Sequence, residues 1–472
     1  MRVVLPLLFI IVSFPAQAVF QDIWKGYQVS KVHQSKLIDE KINVENFKFE
    51  DNKFDWQLFA TPSYNHTFRD ALFSFQANET ITSGLSYGLS KTSYKYGTFK
   101  FEQAQLAYDL TNWSSSAIAN LDSDKLYETT NTFNYSYDFF DRTMDADYEL
   151  ANINYQMKSL EARHAVEKGY FDFFSVYIQA KLQVYAVKLT KDFVKEAQKR
   201  VSQINKRVKD GLSRKVELLQ AKSNLLNQQE ALEKTRSSLK QNLAIIENLI
   251  GTKIDDKYFE KLTWKPYGFN YWKKFIKDDK SINIEILKKR LEYSEKMLEK
   301  VAEQNGQKLA LTASYFMNDI DQSASKSMSN ASNGERFDQR IALTWTIPLG
   351  MSKRDGLAKK SLYQHKKNEL DLLSIEDEVK VKKEALIEQI SYLEKAGTIA
   401  NQKITIGKET LDQQNRLYLR GQASFEEVIR TEEAYINSRL SEKRLLAEYE
   451  MLIVNYAFLN NSTQSLLNSY QD

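Results

Sequence analysis

Val208-Lys-Asp-Gly211-Leu-Ser-Arg-Lys-Val-Glu217-Leu-Leu and Tyr418-Leu-Arg-Gly421-Gln-Ala-Ser-Phe-Glu-Glu427-Val-Ile read as two copies of one helical turn. In each, a glycine is followed six residues later by a glutamate and then by two aliphatics, and the two glycines lie 210 residues apart. The same offset carries the alternating run ending Tyr135-Ser-Tyr-Asp-Phe-Phe140 onto the one ending Trp345-Thr-Ile-Pro-Leu-Gly350. Strand end and glycine turn are thus 71 residues apart in both halves. Such spacing marks a tandem duplication of one strand-plus-long-helix unit.

Five prolines and fifteen glycines in 472 residues leave little punctuation, so long uninterrupted elements are expected. Residues 1–18 have a basic start, an apolar middle and an Ala16-Gln-Ala18 end, the pattern of a cleaved signal peptide; the apolar run is too short for a membrane anchor. With no cysteine, disulfides, thiol catalysis, thiolate metal sites and an acylated lipoprotein terminus are all excluded. The 66 basic and 62 acidic residues are interleaved, which describes a solvated helical surface and no nucleic-acid partner. No later stretch suits a transmembrane helix, so a membrane crossing requires strands closed into a barrel.

Those strands are visible. Trp56 to Phe68 alternates large with small or polar residues, and Leu309 to Met317 is its counterpart; Phe133, Tyr135, Tyr137 and Phe139 alternate with Asn134, Ser136 and Asp138, and Ile341, Leu343 and Trp345 alternate with Ala342 and Thr344. One apolar and one polar face at this length suits a membrane barrel better than a sandwich edge, since the strands are isolated between helices. The first half carries 41 additional residues between its strands, somewhere in 70–125, read as an extra hairpin that keeps up-down parity. It either widens a barrel or lies outside one. The Ser/Asn-rich stretch 318–336 is read as an exposed loop tip, and the chain after Asn460 as a frayed tail.

From Asp141 to about Arg207, and from Met351 to about Tyr418, proline is absent. Some 65 residues make a helical path of about 100 Å, which needs a partner along its side. After Gly211, Leu218, Leu225, Leu232, Leu239 and Ile246 recur every seventh residue as a coiled-coil seam; Val428, Tyr435, Glu442, Tyr449 and Tyr456 take the corresponding places. The domain plan is a signal peptide (1–18), a first repeat (19–250), a linker (251–281), a second repeat (282–461) and a tail (462–472). Four scattered histidines (His33, His66, His164, His365), no phosphate-binding loop and no nucleophile elbow speak against an enzyme, a metal site or a cofactor.

Signal peptide, two strand pairs, two helical hairpins and glycine-centred tips followed by an acid resemble the TolC-like outer-membrane efflux protein family over nearly the whole mature chain. The resemblance implies an α+β membrane fold with about four transmembrane strands per protomer in a shared trimeric β-barrel, continued by a periplasmic α-barrel. It implies a homotrimer in outer-membrane lipid that serves as exit duct for efflux of small molecules or type I secretion. It implies a periplasmic adaptor (membrane fusion) protein and an inner-membrane transporter of ABC, RND or MFS type as partners. On this chain the docking tips fall at Val208, Gly211, Leu212 and Gly421. The entrance constriction falls at Glu427, Tyr418, Arg430 and Glu217. Two positions depart from the family pattern, Ala423 and Arg430, where an arginine and a second acid are expected; Arg430 then faces Glu427 or a neighbouring protomer. The alternative is an exported periplasmic coiled-coil structural protein without channel activity.

Overall fold

The computed structural model describes residues 19–68, 79–93, 95–109, 125–140, 143–254, 264, 267–277, 281–304, 307–334, 336–347 and 352–470; the signal segment 1–18 lies outside them. The first repeat holds α1 (Val19–Val29), α2 (Lys31–Asp51), β1 (Gln57–Phe68), β2 (Glu79–Ser93), β3 (Gly97–Asp109), β4 (Lys125–Asp138), α3 (Thr143–Lys209) and α4 (Lys215–Ile250). After α5 (Phe269–Trp272), the second holds α6 (Ile282–Gln304), β5 (Lys308–Asp321), α7 (Ala324–Asn333), β6 (Phe337–Thr346), α8 (Ser352–Leu419), α9 (Phe425–Leu459) and α10 (Thr463–Ser469). Two compact units result, one of residues up to 41 with 159–286 and 372 onward, the other of 42–158 with 287–371.

The second unit carries one antiparallel meander in the order β1-β2-β3-β4-β5-β6. Among the described residues it therefore has six strands, two more than the resemblance implies. The extra pair, β2 and β3, sits in the sheet between β1 and β4 with full ladders on both sides. Strand alternation gives the sheet two unlike faces. Leu58, Leu89, Phe101, Phe133 and Tyr315 are successive cross-strand partners on one face, and Phe101 and Phe133 have ring centroids 4.6 Å apart. Thr61, Ser86, Ala104, Thr130 and Asn318 form the equivalent row on the other.

The stretch read as a loop tip is structured: β5 runs on to Asp321, and α7 follows. Ser327 and Ala331, four residues apart, are its buried stripe. Beneath it the same face of the sheet that carries the aromatic row turns polar, with Gln103, Thr129, Asn131 and Asp319 all buried. Ser327 Oγ lies 2.9 Å from the Asp319 carbonyl and from Thr129 Oγ1, Gln105 donates to the Ala324 carbonyl at 2.9 Å, and Asn330 donates to the Asp319 carboxylate at 3.1 Å. A Ser/Asn-rich helix is stable here because the sheet satisfies its polar underside. Ser327→Val removes the hydroxyl at 0% exposure and leaves two oxygens without it. The expected cost is about 1–3 kcal/mol, seen as faster proteolysis within 324–333 while the rest of the chain stays resistant.

In the first unit, Phe20, Trp24 and Tyr27 of α1 meet Tyr170, Phe173, Phe174 and Tyr177 of α3, each set at three- and four-residue spacing. Phe20 and Tyr177 lie 4.9 Å apart edge to face, and Tyr27 stacks on Phe173 at 4.6 Å. Residues 461–470 do not fray: Leu466, Leu467 and Tyr470 are buried in the same core, and Trp272 from the linker stacks on Tyr470 at 5.6 Å. So short a segment holds its place because the partners of its apolar residues come from distant helices, not from α10 itself. The heptad positions of α4 are buried (Leu232, Ile246) or half-buried (Leu218, Leu225, Leu239), and those of α9 are buried except half-buried Tyr435.

Candidate functional site: the paired helical tips

Both tips end their long helix in the same way. Gly211 and Gly421 each adopt φ +73°, a left-handed conformation that costs an L side chain about 1–2 kcal/mol. Leu212 N–H donates back to the Arg207 carbonyl at 2.7 Å and Gly211 N–H to Val208 at 3.2 Å; Gln422 to Leu417 (2.9 Å) and Gly421 to Tyr418 (3.0 Å) repeat the pattern. These are Schellman closures, which satisfy carbonyls that the helix end would orphan. A Cβ at either glycine would meet nothing within 4 Å, so only backbone conformation selects glycine. Gly421→Ala should therefore raise hydrogen exchange of the amides around 417–425 by roughly 10-fold, the equivalent of about 1.4 kcal/mol, with no change in the core of the same unit.

The restart of the next helix differs between copies. Ser424 caps α9 through a full capping box: its hydroxyl accepts from Glu427 N–H at 3.2 Å, and the Glu427 carboxylate accepts from Ser424 N–H at 3.0 Å. Arg214 at the start of α4 makes no side-chain cap. Glu217, the counterpart of Glu427, is thereby released to accept from the Tyr418 hydroxyl at 3.2 Å and from Arg214 Nε at 3.5 Å. The two repeats thus give equivalent acids different work.

Tyr418 joins the tips. Its ring lies 5.6 Å from Phe425, and the Arg207 guanidinium stands 5.6 Å over it. Arg207 in turn donates to Ser213 Oγ at 3.1 Å and to the Leu419 carbonyl at 3.3 Å. Ile204, Ala221 and Phe425 are buried beneath, with Val201, Val208, Leu218, Tyr418 and Ile429 against them. Burial first, with the Glu217 carboxylate adding to it, pushes the Tyr418 hydroxyl above its ordinary value, so it remains a donor to Glu217 at neutral pH.

Tyr418, Glu217 and Val208 are brought together; Glu427 and Arg430 are not. Arg430 reaches Glu426 at 3.4 Å, one turn back on its own helix, and not Glu427, whose carboxylate is held by the capping box. Both members of that pair are open to solvent, at 78% and 72% side-chain exposure, so it holds little. Leu212 is exposed beside Gly211. The roles of Arg207, Ser213 and Phe425 were not legible, since nothing in one sequence separates them from their neighbours in and beside the tips. The bidentate pair of Arg200 and Glu432 (2.6 and 3.0 Å) did carry a mark. Each member lies eleven residues from its glycine, so the duplication places them at one level. Among the described residues no three His, Cys, Asp or Glu cluster as metal ligands.

Residues 103–252, about a third of the chain, match the family model described as Outer membrane efflux protein. No curated protein matches the sequence. Similar solved structures include CusC (11% identity, TM-score 0.66, covering 98% of this chain and 96% of that one). They also include VceC from Vibrio cholerae, an outer membrane protein, at 12% identity and TM-score 0.66, with 93% and 96% of the two chains covered. The CmeC outer membrane channel of Campylobacter jejuni aligns at 9% identity and TM-score 0.67, with 96% and 87% covered. At these identities the likeness is one of fold, and the α+β architecture is that of these channels.

Proposed function

We propose that this chain, a TolC-like outer membrane efflux protein by its matched segment and its fold, works as a passive outer-membrane exit duct that extends into the periplasm. The observation that carries the reading is an open six-stranded sheet, apolar on one face, whose outer strands β1 and β6 each have a single neighbour in the described sheet. A lipid-facing sheet leaves no unpaired edge in hydrocarbon, so other copies of the chain close it. A homotrimer answers this need. The paired tips form the periplasmic entrance, held shut by Tyr418, Glu217 and Arg207 and rimmed by exposed Glu427 and Arg430. A periplasmic adaptor docks at Val208, Gly211, Leu212 and Gly421, and an inner-membrane transporter supplies the energy. The chain itself performs no reaction.

The test is conductance in planar bilayers of protein purified from outer membranes, wild type beside Glu217→Ala and Tyr418→Phe. Wild type should give small, stable channels. Each variant removes one end of the hydrogen bond between tips, which, at about 1.5–3 kcal/mol for a bond to a charged group, should raise the open fraction by on the order of 10-fold. Protein found only in the soluble periplasm, with no conductance at any concentration, would leave the coiled-coil structural protein as the answer.

A further inference from the structure

We infer that the β2–β3 hairpin is part of the barrel wall and makes the outer-membrane exit about half as wide again as a four-stranded protomer would, fitting it to bulkier solutes; this rests on the channel reading above. Three observations carry it. First, the hairpin is not an appendage. β2 pairs with β1 over twelve residues from Gln57↔Ser90 to Phe68↔Glu79, and β3 pairs with β4 over twelve from Thr98↔Ser136 to Asp109↔Lys125. β1 and β4, the strands that a four-stranded protomer would pair directly, are thereby held apart by two strand widths.

Second, the hairpin keeps the two-faced pattern of the wall. Ile81, Leu85, Tyr87 and Leu89 of β2, with Phe99 and Phe101 of β3, lie on the face of the aromatic row, which is fitted to lipid outside the polar patch that α7 covers. Third, the opposite face of β2 reads Thr80, Thr82, Gly84, Ser86, Gly88, Ser90, Thr92, small residues throughout. β2 itself adds no bulk on that side; Leu106 of β3 and Phe59 of β1 lie over Gly84 and Gly88. Barrel diameter grows roughly in proportion to strand number, so six strands per copy instead of four enlarge it about 1.5-fold whatever the number of copies, and three copies give eighteen strands. A barrel of that size encloses an aqueous channel instead of a packed interior.

The chain has no cysteine, so single cysteines report cleanly. In intact cells producing the full chain, Ser86→Cys should react with a membrane-impermeant maleimide and Leu89→Cys, in the aromatic row, should not, because one faces water and the other lipid. Equal labelling of the two overturns the proposal. Polyethylene glycols of graded size, added to the barrel side in planar bilayers, should enter the wild-type channel up to a hydrodynamic radius about 1.5-fold larger than for a variant lacking 79–109. An unchanged cut-off overturns the proposal while leaving the duct intact, whereas wild type without conductance overturns the duct itself. Should the deletion not assemble, Ser86→Trp with Ser90→Trp, on the same face of intact β2, should lower the cut-off; no change there also counts against it.

Discussion

Tyr470→Ala is expected to destabilise the first unit by about 3–5 kcal/mol, a large loss for a residue two positions from the last one of the sequence. The ring is 1% exposed. It lies 4.6 Å from Phe20, 5.1 Å from Phe174 and 5.6 Å from Trp272, so its removal opens a cavity bordered by α1, α3 and the linker together. Its hydroxyl stands 3.0 Å from Lys181 Nζ and donates to the Glu450 carboxylate at 2.6 Å, mediating between a buried cation and a buried anion. Tyr470→Phe keeps the ring and removes only that link, and should cost about 1–3 kcal/mol. Urea unfolding of the detergent-solubilised protein, followed by tryptophan fluorescence, separates the two. If Tyr470→Ala melts with exposed Gln464→Ala, the terminus is not the keystone of this core.

That same residue shows where sequence reading ran out. The duplication was legible because each copy repeats a backbone demand: a left-handed glycine, then an acid at a fixed distance. The strands were legible because two environments, apolar and polar, force alternation. Tyr470 carries no such pattern. Its partners lie up to 450 residues away, and no local periodicity points to them. The α7 helix was lost for the opposite reason: rules that assign Ser and Asn to loops assume that water satisfies them, and here buried Thr129 and Asp319 do so. At the tips, Glu426 and Glu427 are neighbours of one chemistry. Which of them takes Arg430 was settled by Ser424, whose capping box holds Glu427 back.

Glu432→Ala should cost about 3–5 kcal/mol, because it strands the Arg200 guanidinium in a site where that side chain is only 15% exposed and its lost partner only 2%. The pair joins α3 to α9 through two parallel hydrogen bonds above the tip cluster, so the loss should also loosen the tips that Tyr418 and Glu217 hold. The two effects are separable. Arg200→Met with Glu432→Leu removes both charges and keeps volume, which for buried pairs is often neutral or stabilising by about 1–4 kcal/mol. The double variant should therefore recover the melting temperature of wild type. If its conductance stays raised while its stability returns, the ion pair specifies the closed register of the two hairpins. If conductance returns with stability, apolar packing between α3 and α9 is enough to close the duct, and the pair serves only to satisfy its own charges.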